Sequence, residues 1–467
     1  MIEITPAFDE KNGKPLYVQL VDYIKEEILA GRIKPNEKLP SKRKLSTYLG
    51  ISINTIQAAY DQLNAEGYII SKQRQGVFVA NLEEELFIEK IAPPEEERTS
   101  ETKNSSVKID FNSGKVDLEH FPFSAWKKLT LQSIYEDQGA LFYSGDPQGE
   151  LQLREQIAKY LFASRGVRCS SDQIVIGAGT QSLLSLLYLI LGEGYAFALE
   201  NPGFHRTRVV LKDLGADLHY IQLDGDGINI EKLYESAATV VYITPSHQFP
   251  CGMVMPIQRR MELLKWAEER GGYIIEDDYD GEYRYKGKPI PSLQGLDKIG
   301  RVIYLGTFSK SLIPSIRVSY LVLPKELTKV YQEHFTLYKQ QTSRLHQNTI
   351  FHFMNEGFWH SHLNKMRTLY RKKQAVLVSS LNKQFGNEVE VIGEQSGLHI
   401  VVKVKTHMTE DALISKALEA GVKVYPLSIY YADPKDIKET KILLGFGGLS
   451  LSEIELGVKI LKKAWET

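Results

Sequence analysis

Cysteine is nearly absent from this sequence, since its 467 residues include only Cys169 and Cys251. The two do not form a Cys-x-x-Cys pair, so neither a disulfide framework nor a thiolate zinc site is supported. The sequence also lacks an apolar run of the roughly 18–20 residues that span a bilayer, and its N-terminus has no basic stretch followed by an apolar core. We therefore expect a cytoplasmic protein with no membrane partner.

A strong charge of either sign is absent too, because the formal net charge is −1. This excludes a basic surface over the whole molecule, so any contact with nucleic acid must be local. The apolar content of 43% and the charged content of 25% are typical of a soluble globular protein. The length favours two or three domains.

The chain divides at a segment that is unsuited to a packed core. Residues 81–108 are rich in Glu, Ser, Thr and Pro and show no sustained helical or strand period. We predict a flexible acidic linker there, between a small domain at 1–80 and a larger one at 109–467. The larger block alternates apolar runs with helical patterns, which is typical of an α/β fold.

The first block has the pattern of a helix-turn-helix followed by a wing. A helix in "LYVQLVDYIKEEILAGRI", stopped by Gly31, precedes two more, which Gly50 separates and which Ser41 and Ser52 cap. The stretch "YIISKQRQGVFVA" then alternates as two short strands do. Six basic residues between Arg32 and Lys44 suit contacts with phosphates. From the pattern alone, a helical protein-interaction module remains the alternative.

Four apolar runs of the second block end in polar residues that can do chemistry: Glu200, His247, Asp277 to Tyr279, and Lys310. In doubly wound α/β proteins, ligands bind beyond the carboxyl ends of the parallel strands, so these four ends should meet in one crevice. A lone lysine after a strand is usually a solvated loop residue. Convergence with the other three ends favours a functional lysine instead.

A lysine, an acid and an anion site together predict pyridoxal 5′-phosphate (PLP) as the cofactor. The lysine amine bonds the aldehyde, and the acid pairs with the ring nitrogen. The stretch "IGAGTQ" places Gly179, Thr180 and Gln181 at the start of an apolar helix, where backbone N–H groups bind phosphate. Arg317 adds a cation for the phosphate. Taken alone, the glycines are typical of tight packing, and Arg317 is typical of a surface ion pair.

The motifs of the two blocks resemble two known families. "LPSKRKLSTYLGISINTIQAAYDQLNAEGYI" with "RQGVFVA" resembles the winged-helix domain of GntR-type transcription regulators over about residues 14–80. "GDPQGELQLREQIAKYL", "ENPGF", "TPSHQFPCG", "IIEDDYDGEY" and "GTFSKSLIPSIRVSYLVLP" resemble the fold type I aminotransferase-like domain of the MocR/GabR subfamily over about residues 110–465. The resemblance implies an N-terminal winged helix (α+β) joined by a linker to an α/β domain, with a smaller C-terminal α+β subdomain from about residue 366.

The resemblance also implies roles for individual residues. DNA contacts fall to Arg43, Ser52, Asn54, Thr55 and Gln57. In the large domain, Lys310 is implied as the Schiff-base lysine, Asp277 as the partner of the pyridine nitrogen, and Tyr279 as the phenol beside the ring hydroxyl. The implied phosphate cup is Gly179, Thr180, Gln181, Thr307, Ser309 and Arg317. The last two implied cofactor residues are Phe204, stacked near the ring, and Tyr143, which reaches the phosphate of the other subunit of a homodimer.

Two positions depart from working aminotransferases. Phe249 stands in "HQFPCG" where an asparagine usually lies beside the ring hydroxyl, a trait that the MocR type shares. Gly448 in "LLGFGGL" replaces the arginine that clamps the substrate carboxylate, and glycine offers no such fork. Arg206 matches a second arginine, which contacts the effector carboxylate. The effector is thus an amine or amino-acid-like molecule held by Arg206, an amine without that carboxylate, or the cofactor itself.

The sequence therefore predicts a PLP-dependent transcription regulator, a homodimer on a double-stranded DNA operator, in which an effector reacting at Lys310 alters DNA binding. No metal site is predicted, since the histidines of "HFMNEGFWHSH" lack acid or thiolate partners. The first alternative is a genuine aminotransferase with an accessory winged helix. A regulator that carries out at most partial transamination is intermediate between that enzyme and a regulator without enzyme activity. The second alternative is a regulator that has lost the cofactor and uses its large domain only as a dimer scaffold.

Overall fold

The structure, a computed structural model, describes residues 4–9, 13–73, 75–81, 107–285, 291–437 and 439–466. The chain separates into two compact units, Met1–Lys103 and Asn104–Thr467. The predicted linker at 81–108 lies outside the described residues, apart from 81, 107 and 108. The domain limits of 1–80 and 109–467 stay predictions. Over the described ranges, no helix is long and apolar enough to cross a membrane.

The first unit contains α1 (Leu16–Leu29), α2 (Lys42–Leu49), α3 (Ile53–Ala65) and an antiparallel hairpin of β1 (Ile69–Lys72) and β2 (Gly76–Val79). Ser41 and Ser52 cap α2 and α3, because their side chains accept hydrogen bonds from the backbone N–H groups of Lys44 and Thr55. Gly50 ends α2 in the left-handed conformation, at φ 68°. Apolar side chains from all five elements form one buried core. The predicted winged helix is confirmed.

The second unit consists of strands β3 to β16 and helices α4 to α15. Its strands are β3 (Ile109–Asp110), β4 (Ile174–Gly177), β5 (Ala196–Asn201), β6 (Asp217–Asp224), β7 (Gly227–Ile228), β8 (Val240–Ile243), β9 (Tyr273–Asp278), β10 (Val302–Thr307), β11 (Ser319–Val322), β12 (Val389–Ile392), β13 (His399–Val404), β14 (Val422–Lys423), β15 (Tyr425–Pro426) and β16 (Lys441–Gly445). Its helices are α4 (Phe123–Asp137), α5 (Leu151–Arg165), α6 (Thr180–Leu191), α7 (His205–Asp213), α8 (Ile230–Glu235), α9 (Ile257–Arg270), α10 (Leu293–Leu296), α11 (Lys325–His334), α12 (Arg344–Asn355), α13 (Phe358–Phe385), α14 (Glu410–Glu419) and α15 (Leu451–Glu466).

An eight-stranded sheet has the order β4-β11-β10-β9-β8-β5-β6-β7. The strands from β10 to β6 run parallel, while β11 and β7 run antiparallel to their neighbours. β8, β9 and β10 are buried along their whole length, and none of them alternates apolar with polar residues; β9 is apolar at first and ends in the buried acids Glu276, Asp277 and Asp278. One apolar cluster joins the sheet to α6, α7 and α11, and another joins it to α8, α9 and α10. The predicted α/β fold is confirmed.

A smaller antiparallel sheet, in the order β12-β13-β16-β15, lies toward the C-terminus. It shares one apolar cluster with α13, α14 and α15. β3, from the start of the unit, pairs in parallel with β14. The start of this subdomain, predicted near residue 366, lies inside α13, which is continuous from Phe358 to Phe385. The change from the large sheet to the small one therefore occurs along a helix.

Candidate functional site

A cavity of about 170 Å³ lies at the carboxyl ends of β9 and β10, beside the first turn of α6. Lys310, Asp277 and Tyr279 line it together. Side chains alternate between the two faces of a strand, so Asp277 and its neighbour Asp278 point to opposite sides of the sheet. Asp278 pairs with the buried Arg165, at 2.7 Å between Oδ2 and Nε. Asp277 is thus the acid that β9 presents to the cavity.

Lys310 follows β10 and is partly buried. Its Nζ donates a hydrogen bond to the backbone carbonyl of Ser113, in the segment after β3. Burial lowers the pKa of Lys310 to about 8, although Asp280 raises it; Arg206 lowers it further. A lowered pKa increases the neutral, nucleophilic fraction of the amine, which is the direction that the sequence predicts.

Asp277 has one oxygen satisfied and one free. Oδ2 accepts a hydrogen bond from the hydroxyl of Tyr242, whereas Oδ1 is buried and has no partner among the described residues. Burial raises the pKa of Asp277 to about 7 against the hydrogen bond from Tyr242, and the charges of Asp278 and Asp280 raise it as well. A protonated ring nitrogen supplies what this carboxylate lacks, a cationic N–H donor.

The other end of the cavity suits an anion. Gly179 precedes α6 at φ 100°, and no side chain caps the helix, so its first N–H groups stay available. The Arg317 guanidinium packs against Gly179 so closely that a Cβ there would lie 2.3 Å from Nη2. The remaining residues of the predicted phosphate cup all line the cavity: Thr180, Gln181, Thr307, Ser309 and Arg317. These groups fit a phosphate, and with Lys310 and Asp277 they fit PLP.

The aromatic side chains differ in part from expectation. Phe204 lines the cavity, but its ring is stacked on Phe249 at 4.0 Å between centroids and 3° between planes. One face of Phe204 is therefore covered by protein. The hydroxyl of Tyr279 contacts His247. Tyr143 is 76% exposed and does not line the cavity of its own chain, so its predicted contact with the other subunit stays a prediction.

The predicted effector residues lie in two places. Arg206, on α7, lines the cavity with Lys310. Gly448 lies against Lys115, because a Cβ at Gly448 would be 2.7 Å from the Lys115 Cβ. The Lys115 ammonium pairs with Asp110 at 2.8 Å. The position of the usual clamp arginine is thus filled by a lysine whose charge is already paired.

In the first unit, Arg43 on α2 and Asn54 on α3 are exposed. The hydroxyl of Ser52 is engaged as the cap of α3, where it accepts from Thr55 N–H at 3.1 Å. The Gln57 amide has protein partners at both ends, since it accepts from Lys42 and donates to Asp61. At the start of α3, Asn54 is thus an exposed polar side chain, while the hydroxyls of Ser52 and Thr55 bond to each other at 2.9 Å.

Comparisons with known proteins agree in both units. The model of "Bacterial regulatory proteins, gntR family" matches residues 16–79, and that of "Aminotransferase class I and II" matches residues 106–440. The uncharacterized HTH-type transcriptional regulator YhdI of Bacillus subtilis is 45% identical over 99% of this chain and 98% of its own. The probable rhizopine catabolism regulatory protein MocR of Rhizobium meliloti is 32% identical over 98% and 95%. The chain belongs to the MocR subfamily of GntR-type transcription regulators.

Solved structures support the same conclusion for the large unit of this MocR-type regulator. Pyrococcus horikoshii kynurenine aminotransferase has a TM-score of 0.69 at 26% identity, covering 77% of this chain and 90% of that one. LysN, the α-aminoadipate aminotransferase of Thermus thermophilus, solved with N-(5′-phosphopyridoxyl)-L-leucine, has a TM-score of 0.69 at 26% identity, covering 77% and 92%. The MocR-type chain is thus a DNA-binding transcription regulator whose large domain takes PLP as its cofactor.

Sequence reasoning missed several residues of the site. Tyr242, which bonds Asp277, and Ser319, which donates to Thr307 at 2.8 Å, both line the cavity. Asp280 lies 3.0 Å from His247. Tyr242 lies in an apolar run outside the quoted motifs, and Ser319 lies in the quoted motif "GTFSKSLIPSIRVSYLVLP", but the sequence indicates no role for it. Their strand position relative to Asp277 and Thr307 becomes informative only once the strand order is known.

Proposed function

We propose that this MocR-type protein is a homodimeric regulator in which an amine or amino-acid-like effector, acting at Lys310, alters binding to a DNA operator. The observation that carries the proposal is the joint placement of Lys310 and Asp277 in one cavity with an anion site beside it. When bound, PLP supplies an aldehyde that reacts reversibly with primary amines. Lys310 is the resident amine of the cavity, and an effector amine competes with it. A cytoplasmic location follows from the need to reach DNA.

The proposed roles in the cavity follow from its geometry. Asp277 holds the ring nitrogen, and Tyr279 binds the ring hydroxyl. Phe204 supports the ring, and Tyr143 acts across the dimer. The phosphate is held by Gly179, Thr180, Gln181, Thr307, Ser309 and Arg317. Exposed apolar side chains, Phe142 at 79% and Leu337 at 88%, support burial against a second copy.

The proposed effector is a primary amine whose acidic group, where present, is bound by Arg206. Arg206 is exposed at the cavity, so its guanidinium is accessible to a ligand. Lys115, in contrast, is paired with Asp110, and Asp110 also accepts from the hydroxyl of Tyr425 at 2.9 Å. Binding a carboxylate at Lys115 would cost that ion pair. A ligand with a carboxylate directed at residue 448 is therefore disfavoured.

The proposed DNA contacts are made by the first unit. Arg43, Asn54 and the Ser52–Thr55 hydroxyl pair lie on α2 and at the start of α3, the end of a recognition helix that enters the major groove. Gln57 reaches DNA only after exchanging its bonds to Lys42 and Asp61. The effector shifts the regulator only as far as it binds one conformation better than the other.

The test combines in vitro selection of DNA with effector titration. Full-length, PLP-loaded protein selects a binding site from a random duplex library, and its affinity for that site is then measured by fluorescence anisotropy with a panel of amines and amino acids. The proposal expects at least one amine to change the affinity of the wild type and to leave Lys310→Ala unchanged. An identical amine response in Lys310→Ala, or sustained release of keto acid without any effect on DNA binding, contradicts it. The second result supports the aminotransferase alternative.

A further inference from the structure

A buried polar pair lies behind Tyr279, outside the set of groups that line the cavity. His247 and Asp280 are 1% and 2% exposed at their side chains, and Nδ1 of His247 is 3.0 Å from Oδ2 of Asp280. The same nitrogen is 2.9 Å from the hydroxyl oxygen of Tyr279. Tyr279 itself lines the cavity with Lys310. The pair thus reaches the cavity through one phenol.

The hydrogen bonds define where the protons lie. The Tyr279 hydroxyl donates to the backbone carbonyl of His247 at 3.0 Å, and the Nδ1–H of His247 donates to Asp280. Nε2 of His247 is buried and has no partner within the described ranges. A proton on Nε2 would therefore be an unpaired buried donor, so the tautomer that fits this site carries its proton on Nδ1.

The phenol has a second arrangement. Its oxygen can share the Nδ1–H of His247 with Asp280, since Nδ1 lies 2.9 Å from the phenol oxygen and 3.0 Å from Oδ2 of Asp280. Its own proton is then free for an acceptor in the cavity. Phe249, 5.9 Å from Tyr279 between ring centroids, adds no polar group, and His247 supplies both hydrogen bonds that the hydroxyl makes to described residues. Which arrangement the phenol takes depends on the His247 ring.

We propose that His247, held in place by Asp280, is a positioning residue that directs the Tyr279 hydroxyl to the ring oxygen of bound PLP and thereby lowers the proton affinity of the nitrogen contributed by Lys310. A hydrogen bond to that oxygen stabilises its anionic form. The anion then depends less on a proton at the neighbouring nitrogen to offset its negative charge. The inference rests on the proposed function, because it requires PLP to be held at Lys310.

Other titratable groups act on the same nitrogen and phenol, either directly or through their charge. Asp277 and Asp278 come from β9, Glu200 from β5, Arg206 from α7 and His399 from β13; all of them act together with Asp280 on Tyr279, Lys310 or His247. The test leaves these groups unchanged and alters only His247 and Tyr279. A difference between variants then reports the contact between these two residues.

The experiment is a pH titration of the visible absorbance band of PLP-loaded protein in four variants: His247→Leu, His247→Asn, Tyr279→Phe, and Tyr279→Phe combined with His247→Leu. Loss of the hydrogen bond to the ring oxygen raises the apparent pKa of the band, so His247→Leu and Tyr279→Phe should each raise it by about one unit. Asparagine carries an N–H near the position of Nδ1, so His247→Asn should restore most of the wild-type value. The double variant should match Tyr279→Phe alone.

Two results overturn the inference. The first is an apparent pKa that is unchanged in His247→Leu but shifted in Tyr279→Phe. The second is an apparent pKa of the double variant that exceeds that of Tyr279→Phe by the whole shift seen in His247→Leu. If His247→Leu fails to fold, Tyr279→Phe and His247→Asn still test the inference. A wild-type apparent pKa of the visible band in Tyr279→Phe would show that the phenol does not act on it. Absence of any visible band in wild-type protein contradicts the proposed function instead.

Discussion

Tyr242 and Asp277 share a buried hydrogen bond across neighbouring strands, in which the Tyr242 hydroxyl donates to Oδ2 and leaves Oδ1 of Asp277 without a partner among the described residues. The bond orients the carboxylate from β8, and the other oxygen is the one that we propose to bind the ring nitrogen of PLP. Both residues belong to the face of the sheet that carries α6. Strand alternation therefore brings Asp277 to the same cavity as the first turn of α6.

Replacing Asp277 with Asn should weaken PLP binding at least about tenfold, because a hydrogen bond to a charged group contributes about 1.5–3 kcal/mol. Tyr242→Phe is the matched control, since it removes the orienting bond but keeps the charge, and its effect should be smaller. Equilibrium dialysis with PLP at neutral pH measures both. Equal affinities of Asp277→Asn and the wild type would remove Asp277 from the site.

The affinity for PLP should rise with pH. Burial raises the pKa of Asp277 to about 7, so without the cofactor this carboxyl is largely protonated below pH 7. In the unfolded chain the pKa of an Asp carboxyl is ~3.9. Between this pKa and that of the folded state, the folded, cofactor-free protein binds more protons than the unfolded chain. Its free energy of unfolding therefore falls as the pH increases. The stabilisation that PLP gives in thermal unfolding should therefore grow from pH 6 to pH 8, and Asp277→Asn should lose the part that falls near pH 7.

Gly179→Ala should lower the affinity for PLP in addition to lowering the stability of the fold. The new Cβ would lie 2.3 Å from the Arg317 guanidinium and displace it from the phosphate. Gly192→Ala is the control, because Gly192 also has a positive φ, 79°, at the other end of α6, and a Cβ there meets nothing within 4 Å. Both changes should cost about 1–2 kcal/mol of stability from backbone strain. Only Gly179→Ala should alter the PLP dissociation constant, and an equal change in both would contradict the proposed role of Arg317.

A carboxylate clamp can be restored at residue 448. Gly448→Arg alone should destabilise the protein, because the first atom of its side chain meets the Cβ of Lys115. Combined with Lys115→Gly, which removes that Cβ, the arginine has room and can bind a ligand carboxylate. The double variant should bind α-amino acids more tightly than the wild type, as measured from the amine-induced change of the visible band. Lys115→Gly alone is the control, and an equal gain from it would show that the arginine is not responsible.

Arg43→Ala should weaken binding to the selected DNA about tenfold. It should also reduce the slope of the logarithm of affinity against the logarithm of salt concentration by about one, the value for one phosphate contact. Arg32→Ala is the control from the same unit, since Arg32 is exposed but paired with Glu27 at 2.7 Å. Asn54→Ala should change the preferred base sequence rather than the salt slope. Equal losses from Arg43→Ala and Arg32→Ala would mean that the unit's general charge, rather than Arg43, binds the phosphates.

Much of the site was predictable because its parts follow strands in short motifs. Lys310, Asp277 and the glycine turn at Gly179 each sit where an apolar run ends, and strand ends converge in this class of fold. The caps of α2 and α3 were predictable for a local reason as well. Contacts between distant segments were not: Phe249 covers Phe204, and Lys115 fills the space beside Gly448. Such pairs depend on loop paths that residue spacing does not specify.

The central claim is that Lys310 holds the cofactor. The most direct measurement is reduction of PLP-loaded protein with borohydride, followed by peptide mapping in a mass spectrometer, with Lys310→Ala treated in parallel. We expect one pyridoxyl adduct, on the peptide that contains Lys310, and no adduct at comparable yield in the variant. An adduct mainly on another lysine, or the same yield in Lys310→Ala, would contradict it.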